Sequence, residues 1–158
     1  PPRSTLFPYT TLFRSSYVDS LEELLERSDY VSLHNPLTPE TMNMMSTVQF
    51  KLMKKSAILI NTTRGAVVDQ DALYEALKSG ELAGAALDVT VPEPIPADHP
   101  LLTLDNCLIM PHVASATADT RMKMAMMSVE NVLAGVTGDW PPYCVNQAAI
   151  AGNARLKS

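Results

Sequence analysis

Glycine is scarce in this chain, and none of it forms a phosphate-binding turn. The 158 residues contain six glycines, and no two of them stand in the arrangement G-x-G. That arrangement opens a dinucleotide-binding unit because its glycines let the backbone come close to a pyrophosphate. The sequence therefore lacks the usual first half of a dinucleotide cradle.

Cysteine, basic runs and long apolar segments are also few or missing. Two cysteines, Cys107 and Cys144, are too few for a disulfide framework and favour a reducing, cytoplasmic setting. Twelve basic and 17 acidic residues give a net charge of −5, with no basic run longer than Lys54-Lys55, which argues against a nucleic-acid partner. No apolar stretch reaches the roughly 18 residues of a membrane span. The histidines and cysteines lack metal-ligand spacing, so we expect no metal site.

The start of the chain differs in character from the rest. It opens without Met and repeats itself in the run T-L-F-P-Y-T-T-L-F-R-S, which resembles the translation of a sequencing adapter. We expect residues 1–16 to be foreign to the fold, with a natural disordered tail as the alternative. We expect residues 17–146 to fold and residues 147–158 to form a flexible tail.

The remaining sequence alternates strand-like and helical segments. Short apolar runs predict four strands, at 29–35, 57–63, 83–89 and 106–110, and amphipathic patterns between them predict helices. Residues 57–63 are apolar almost throughout, which is typical of a parallel strand covered by helices on both faces. We predict an α/β fold with a partial, doubly wound parallel sheet.

The longest predicted helix follows the last strand. It begins after Ser115 or Thr117 and runs to about Ala134, before a glycine. Four methionines lie within it, and we interpret them as core filling rather than as part of a cofactor site.

Polar residues stand directly after each predicted strand. The four strand ends read H-N-P-L-T, N-T-T-R-G, L-D-V-T and M-P-H-V-A-S. Because ligands of parallel sheets bind at the carboxyl ends of the strands, we expect Asn35, Arg64, Asp88 and His112 to lie along one edge.

Arg64 has the position of an anion-binding residue. It stands between an apolar run and Gly65, whose backbone we expect to approach a ligand closely. A guanidinium binds a carboxylate through two parallel hydrogen bonds. An ordinary surface ion pair is the alternative interpretation.

His112 and Glu93 have the chemistry of a proton donor and its partner. An imidazole titrates near neutral pH and can give or take a proton. Glu93 lies between Pro92 and Pro94 in a loop whose prolines restrict φ, and a carboxylate held against an imidazole favours the protonated ring. A structural histidine and a solvated loop acid are the alternatives.

Three segments resemble the C-terminal half of the D-isomer-specific 2-hydroxyacid dehydrogenases. They are N-T-T-R-G-A-V-V-D-Q-D-A-L, L-D-V-T-V-P-E-P and P-H-V-A-S-A-T, and their Arg64, Glu93 and His112 are 29 and 19 residues apart. The resemblance covers about Leu21 to Asn146. Within the family, the run D-V-T-V-P-E-P-I-P-A-D-H-P-L-L-T-L-D-N-C is most similar to glyoxylate and hydroxypyruvate reductases.

This resemblance implies the second half of a Rossmann-type NAD(P)-binding domain and a role for each site residue. His112 would be the proton donor, Glu93 its hydrogen-bonded partner and Arg64 the anchor of a 2-oxo acid substrate, with Ser115 at the border of the substrate. The cofactor, NADP or NAD, would contact six residues: Asn35, Pro36, Thr41, Thr62, Asp88 and Ala114. Ala114 departs from the family, in which glycine is common at that position.

The resemblance also sets an expectation for the whole enzyme. Family members begin with a substrate domain and a glycine-rich turn, neither of which precedes Tyr17. We expect the full-length protein to be a cytoplasmic homodimer that reduces glyoxylate to glycolate or hydroxypyruvate to D-glycerate. We expect this polypeptide alone to bind the cofactor poorly and to be inactive. A C-terminal-binding transcriptional corepressor and another dehydrogenase, such as phosphoglycerate dehydrogenase, are the alternatives.

Overall fold

A computed structural model of the protein describes residues 16–150, with side chains up to residue 148. The predictions for residues 1–15 and 151–158 lie outside these described residues. The chain divides into two compact units, of which the first ends at His112 and the second begins at Val113.

The first unit alternates helices and strands, as predicted. Its α-helices are α1 (Leu21–Arg27), α2 (Thr47–Leu52) and α3 (Gln70–Lys78), and its strands are β1 (Tyr30–Leu33), β2 (Ile58–Asn61), β3 (Gly84–Leu87) and β4 (Cys107–Ile109). Two short 3-10 helices, Gly65–Val67 and Pro100–Thr103, lie in the connections. Each strand falls inside its predicted run and is shorter by two or more residues.

The four strands form one parallel sheet in the order β1-β2-β3-β4. Because crossovers between parallel strands are right-handed, strands that follow one another in a single direction place all their connecting helices on the same side. The sheet residues on that side, such as Leu59 and Leu87, are buried against Phe50 of α2 and Leu73 of α3. This is the predicted α/β sheet, in the form of one half of a doubly wound arrangement.

The prediction that both faces of the sheet are covered is wrong for the described residues. On the second face, Tyr30 is 68% exposed and Leu108 is 60% exposed. Burial along β1 and β2 therefore alternates from residue to residue. The apolar run of β2 predicted a two-sided environment, but the helices of the first unit pack against one face of the sheet only.

Side-chain caps set the start of the helices. Ser20 accepts a hydrogen bond from Glu23 N at 3.1 Å and caps α1. Asp69 caps α3 by accepting from Ala72 N at 3.0 Å. The second oxygen of Asp69 accepts from Ser46 Oγ at 2.8 Å, which ties the starts of α2 and α3 together.

The second unit contains the long helix α4 (Ala118–Thr137) and the short helix α5 (Gln147–Ile150). Thr117 caps α4, and Gly138 ends it with a positive φ of 82°. No residue of α4 is buried, and Met122 is 65% exposed. The interpretation of its methionines as core filling is therefore wrong for the described residues, since an apolar helix face becomes core only where another element covers it. No helix of the described residues is long and apolar enough to cross a membrane.

Candidate active site

The carboxyl ends of the four strands meet at one edge of the sheet. Their last residues lie in a single row of register partners, in which Leu33 pairs with Asn61, Asn61 with Leu87, and Leu87 with Ile109. The loops that carry the predicted site residues of the first unit leave the sheet from this row. Parallel pairing with this register therefore places these loops along the same edge.

His112 and Glu93 are hydrogen-bonded to each other. Nδ1 of His112 lies 2.7 Å from Oε1 of Glu93, and both side chains are about half exposed. His112 has a φ of 54°, in the left-handed region that residues other than glycine rarely adopt. Its backbone N–H donates to Asp88 O at 2.9 Å, which ties this strained residue to the end of β3.

This pair lines a cleft of about 460 Å³. Besides Glu93 and His112, its lining residues are Asp88, Thr90, Pro94, Ile95, Leu102, Ile109, Met110 and Pro111. Most of these side chains are apolar, and the polar groups are concentrated at the strand ends. An apolar cleft with a few converging polar groups is the usual form of a small-molecule site.

Arg64 is not among the residues that line the cleft. Its guanidinium Nη1 donates to Thr63 O at 2.7 Å, so the side chain folds back on its own loop. The loop is held by buried Asn61, which donates to Arg64 O at 3.0 Å and accepts from Thr63 N at 3.0 Å. The structure thus brings Glu93 and His112 together and leaves the head of Arg64 outside the cleft.

Gly65 contacts protein backbone where we expected it to approach a ligand. A Cβ built at Gly65 would lie 2.2 Å from both C and O of Thr90, a residue that lines the cleft. The glycine therefore allows the loop after β2 to pack directly on the loop after β3. Through this contact, the backbone of Gly65, which follows Arg64, lies against Thr90 of the cleft lining.

The predicted cofactor residues of the first unit follow the ends of three neighbouring strands. The turn at Asn35 and Pro36 is held by Thr41, whose hydroxyl donates to Pro36 O at 2.7 Å and accepts from Thr38 N at 2.8 Å. Thr62 is exposed at the end of β2, and Asp88 is 7% exposed at the end of β3. Ala114 and Ser115 belong to the second unit, and their roles stay predictions.

Three buried polar residues that the sequence did not single out hold these loops. Asn61 is fully buried, Thr90 is 6% exposed and Gln70 is 9% exposed. Thr90 Oγ1 donates to Pro92 O at 3.0 Å, next to Glu93. An asparagine at the end of an apolar strand is a recognisable signal, since such side chains commonly bond to the backbone of a following turn. Gln70 carries no comparable signal, because its partner is 21 residues away.

Three described residues outside the cleft lining have shifted pKa values: Glu40, Cys107 and Tyr143. Burial raises the pKa of the Cys107 thiol on β4 to about 11. A hydrogen bond to Glu130 raises the pKa of Tyr143, and one from Thr38 lowers the pKa of Glu40. Cys107 and Cys144 are both free thiols.

Comparison with known proteins identifies the family. The family model described as D-isomer specific 2-hydroxyacid dehydrogenase, NAD binding domain, matches residues 9–114, which is more than half of the chain.

Similar relatives carry names from the same family. The chain is 56% identical to a glyoxylate reductase of Korarchaeum cryptofilum over 130 residues, which cover 82% of this chain and 39% of the relative. It is 48% identical to the human glyoxylate reductase/hydroxypyruvate reductase, again covering 82% of this chain and 39% of the relative. The solved structure of D-lactate dehydrogenase with NAD+ from Lactobacillus jensenii aligns with a TM-score of 0.75 at 35% identity, over 81% of this chain and 42% of that chain.

The chain thus spans about two fifths of the length of the relatives it matches. The matched region contains the four-stranded parallel sheet and the cleft with its Glu93–His112 pair. The chain therefore belongs to the family of D-isomer specific 2-hydroxyacid dehydrogenases, and its residues 9–114 match their NAD binding domain.

Proposed function

We propose that this chain is part of an NAD(P)H-dependent reductase of 2-oxo acids, with glyoxylate and hydroxypyruvate as the substrates. The single observation that carries the proposal is the hydrogen bond between Glu93 and His112 in the apolar cleft at the carboxyl edge of the sheet. A carboxylate-oriented imidazole in a cleft is suited to general acid catalysis. The names of the similar relatives support the choice of substrates.

Each of the three site residues has one task in the proposed reaction. Glu93 accepts the hydrogen bond from Nδ1 of His112 and thereby fixes the ring orientation. His112 then holds its second proton at Nε2 and donates it to the carbonyl oxygen of the substrate. Arg64 releases Thr63 O and binds the substrate carboxylate through two parallel hydrogen bonds. Binding of the carboxylate precedes proton transfer, and the exposed side chain of Arg64 has room to rotate away from Thr63 O.

The residues at the strand ends fit the nicotinamide half of NAD or NADP. The amide of Asn35, the exposed hydroxyl of Thr62 and the carboxylate of Asp88 are donors and acceptors of the kind that a carboxamide and a ribose require. Thr41 contributes by holding the turn at Pro36. When bound, the reduced cofactor supplies the hydride that the carbonyl carbon accepts. Ala114 and Ser115 complete the proposed cofactor and substrate contacts.

We also propose a homodimeric assembly in a reducing, cytoplasmic setting. The uncovered sheet face with Tyr30 and Leu108 supports an assembly in which further protein covers it. The two free thiols support a reducing environment.

A hybrid reductase tests the proposed function. In it, the part of the Korarchaeum cryptofilum enzyme that aligns with this chain is replaced by residues 21–146 of this chain. We expect the purified hybrid to oxidise NADH or NADPH in the presence of glyoxylate or hydroxypyruvate, followed by absorbance at 340 nm, where the reduced cofactors absorb. The unaltered relative is the positive control. A folded hybrid without turnover, under conditions in which the relative is active, would refute the proposal.

A further inference from the structure

The nitrogen and the oxygen of the Gln70 side-chain amide both form hydrogen bonds with the backbone of a loop that lies 21 residues further along the chain. Oε1 accepts a hydrogen bond from Val91 N at 2.7 Å, and Nε2 donates to Val91 O at 2.7 Å. Gln70 is 9% exposed and is the first residue of α3, directly after the cap Asp69. The amide of Gln70 and the peptide groups of Val91 thus form a closed two-bond clamp between α3 and the loop after β3.

The clamped loop is the one that carries Glu93. Val91 is two residues before Glu93, and the side chains from Val91 to Pro94 are all exposed. The segment from Val91 to Pro94 has no buried side chain, so packing holds the loop only on either side of it, where Thr90 is buried and Ile95 packs against the core. Its anchors are therefore the clamp at Val91, the bond from Thr90 Oγ1 to Pro92 O and the contact of Thr90 with Gly65.

We propose that Gln70 is a positioning residue, which acts through Val91 to hold the carboxylate of Glu93 against the ring of His112. The role in catalysis rests on the proposed function, whereas the positioning of Glu93 can be measured without turnover. The clamp requires one donor and one acceptor on the same flat group, which a primary amide provides and a carboxylate does not. Gln70→Glu is therefore the most informative variant, since it keeps the size and the acceptor but loses the donor.

The kinetic test uses the hybrid reductase. Gln70→Glu lowers kcat for glyoxylate about 10- to 100-fold, because Glu93 no longer holds the His112 ring in place. KM changes little, because Arg64 binds the carboxylate. The control is Gln49→Ala, which removes a glutamine from the start of α2, where Gln49 Oε1 accepts from Ser46 N at 3.3 Å. An unchanged kcat with a raised KM contradicts the positioning role.

The decisive test uses the full chain and nuclear magnetic resonance of its histidine rings, labelled with 15N. Glu93→Ala gives the reference spectrum of a His112 without its carboxylate partner. We expect Gln70→Ala and Gln70→Glu to shift the His112 ring signals most of the way to that reference, whereas Gln49→Ala leaves them at their wild-type positions. Should Gln70→Ala fail to fold, Gln70→Glu decides, because it retains the bond from Val91 N.

The kinetic test and the nuclear magnetic resonance test distinguish a failure of the positioning role from a failure of the proposed function. His112 signals that stay at their wild-type positions in a folded Gln70→Glu chain overturn the positioning role. A hybrid reductase without any turnover contradicts the proposed function alone, since the ring spectra still show whether Gln70 holds Glu93 at His112.

Discussion

Gly65 packs against the backbone of Thr90 so closely that no side chain fits between them. A Cβ at Gly65 would lie 2.2 Å from both C and O of Thr90. Backbone atoms cannot move aside like the end of a flexible side chain, so one of the two loops must shift if a methyl group is added. This contact joins the loop that carries Arg64 to the loop that carries Glu93.

The first prediction concerns this contact. Gly65→Ala lowers the free energy of unfolding by about 3 kcal/mol, because the methyl group overlaps the peptide of Thr90. Chemical denaturation followed by circular dichroism measures the change. Gly135→Ala is the matched control, since the residue is inside α4 and a Cβ added there would have no atom within 4 Å apart from its chain neighbours and the nearby helix backbone. That control is expected to be neutral or stabilising. Equal stability of the two variants would contradict the prediction.

The second prediction concerns the proton donor. In the hybrid reductase, His112→Gln lowers kcat about 100-fold or more, because the acid is lost. Glu93→Gln has a smaller effect, since its amide oxygen can still accept the hydrogen bond from Nδ1. Steady-state kinetics with glyoxylate measures both. Asp98→Asn, an exposed acid in the same loop, serves as the control and keeps kcat unchanged. Full activity of His112→Gln would remove His112 from the mechanism.

The third prediction concerns the anchor of the substrate. Arg64→Lys raises KM for glyoxylate about 10- to 100-fold in the hybrid reductase, because an ammonium group cannot form the paired hydrogen bonds of a guanidinium. Initial rates at varied glyoxylate concentration give the value. Arg27→Lys is the control, since Arg27 forms an exposed pair with Glu23 on α1 at 2.6 Å. An unaltered KM in Arg64→Lys would mean that the guanidinium stays on Thr63 O during the reaction.

The fourth prediction concerns the reactivity of Cys107. Burial raises the pKa of this thiol to about 11, against an ordinary value of about 8.5 in an unfolded chain. Because the thiolate is the reactive form, alkylation of Cys107 by iodoacetamide in a Cys144→Ser variant rises with pH around 11. A midpoint near that of a free cysteine would contradict the burial of this thiol.

The raised pKa of Cys107 makes the free energy of unfolding depend on pH. The folded state keeps the proton of Cys107 at pH values where the unfolded chain has lost it. The contribution of this group to stability is therefore complete below about pH 8.5 and is lost as the pH rises to about 11. Denaturation curves at pH 8 and pH 10.5 measure the difference.

Much of the fold could be predicted because it follows from local patterns. Apolar runs of five to seven residues mark the four strands, and the polar residues after them mark the carboxyl edge of a parallel sheet. The predicted end of α4 at about Ala134 is wrong, since Gly135 stands inside the helix and Gly138, with its positive φ, ends it. A glycine is compatible with both roles, and only the backbone conformation distinguishes them.

The site could be predicted in part. Because the carboxyl ends of parallel strands lie at one edge of a sheet, the sequence alone predicted that Asn35, Arg64, Asp88 and His112 follow strands that end at the same edge. Only the tertiary structure decided that Gln70 clamps Val91, that Gly65 meets Thr90, that Arg64 turns back to Thr63 and that one face of the sheet is uncovered. Helix and strand patterns arise between residues a few positions apart, whereas the contacts Gln70–Val91 and Gly65–Thr90 join residues far apart in the chain and form only after separate loops have packed against each other. For Arg64 the reason is different: its side chain is exposed, and the local sequence does not determine which rotamer it adopts.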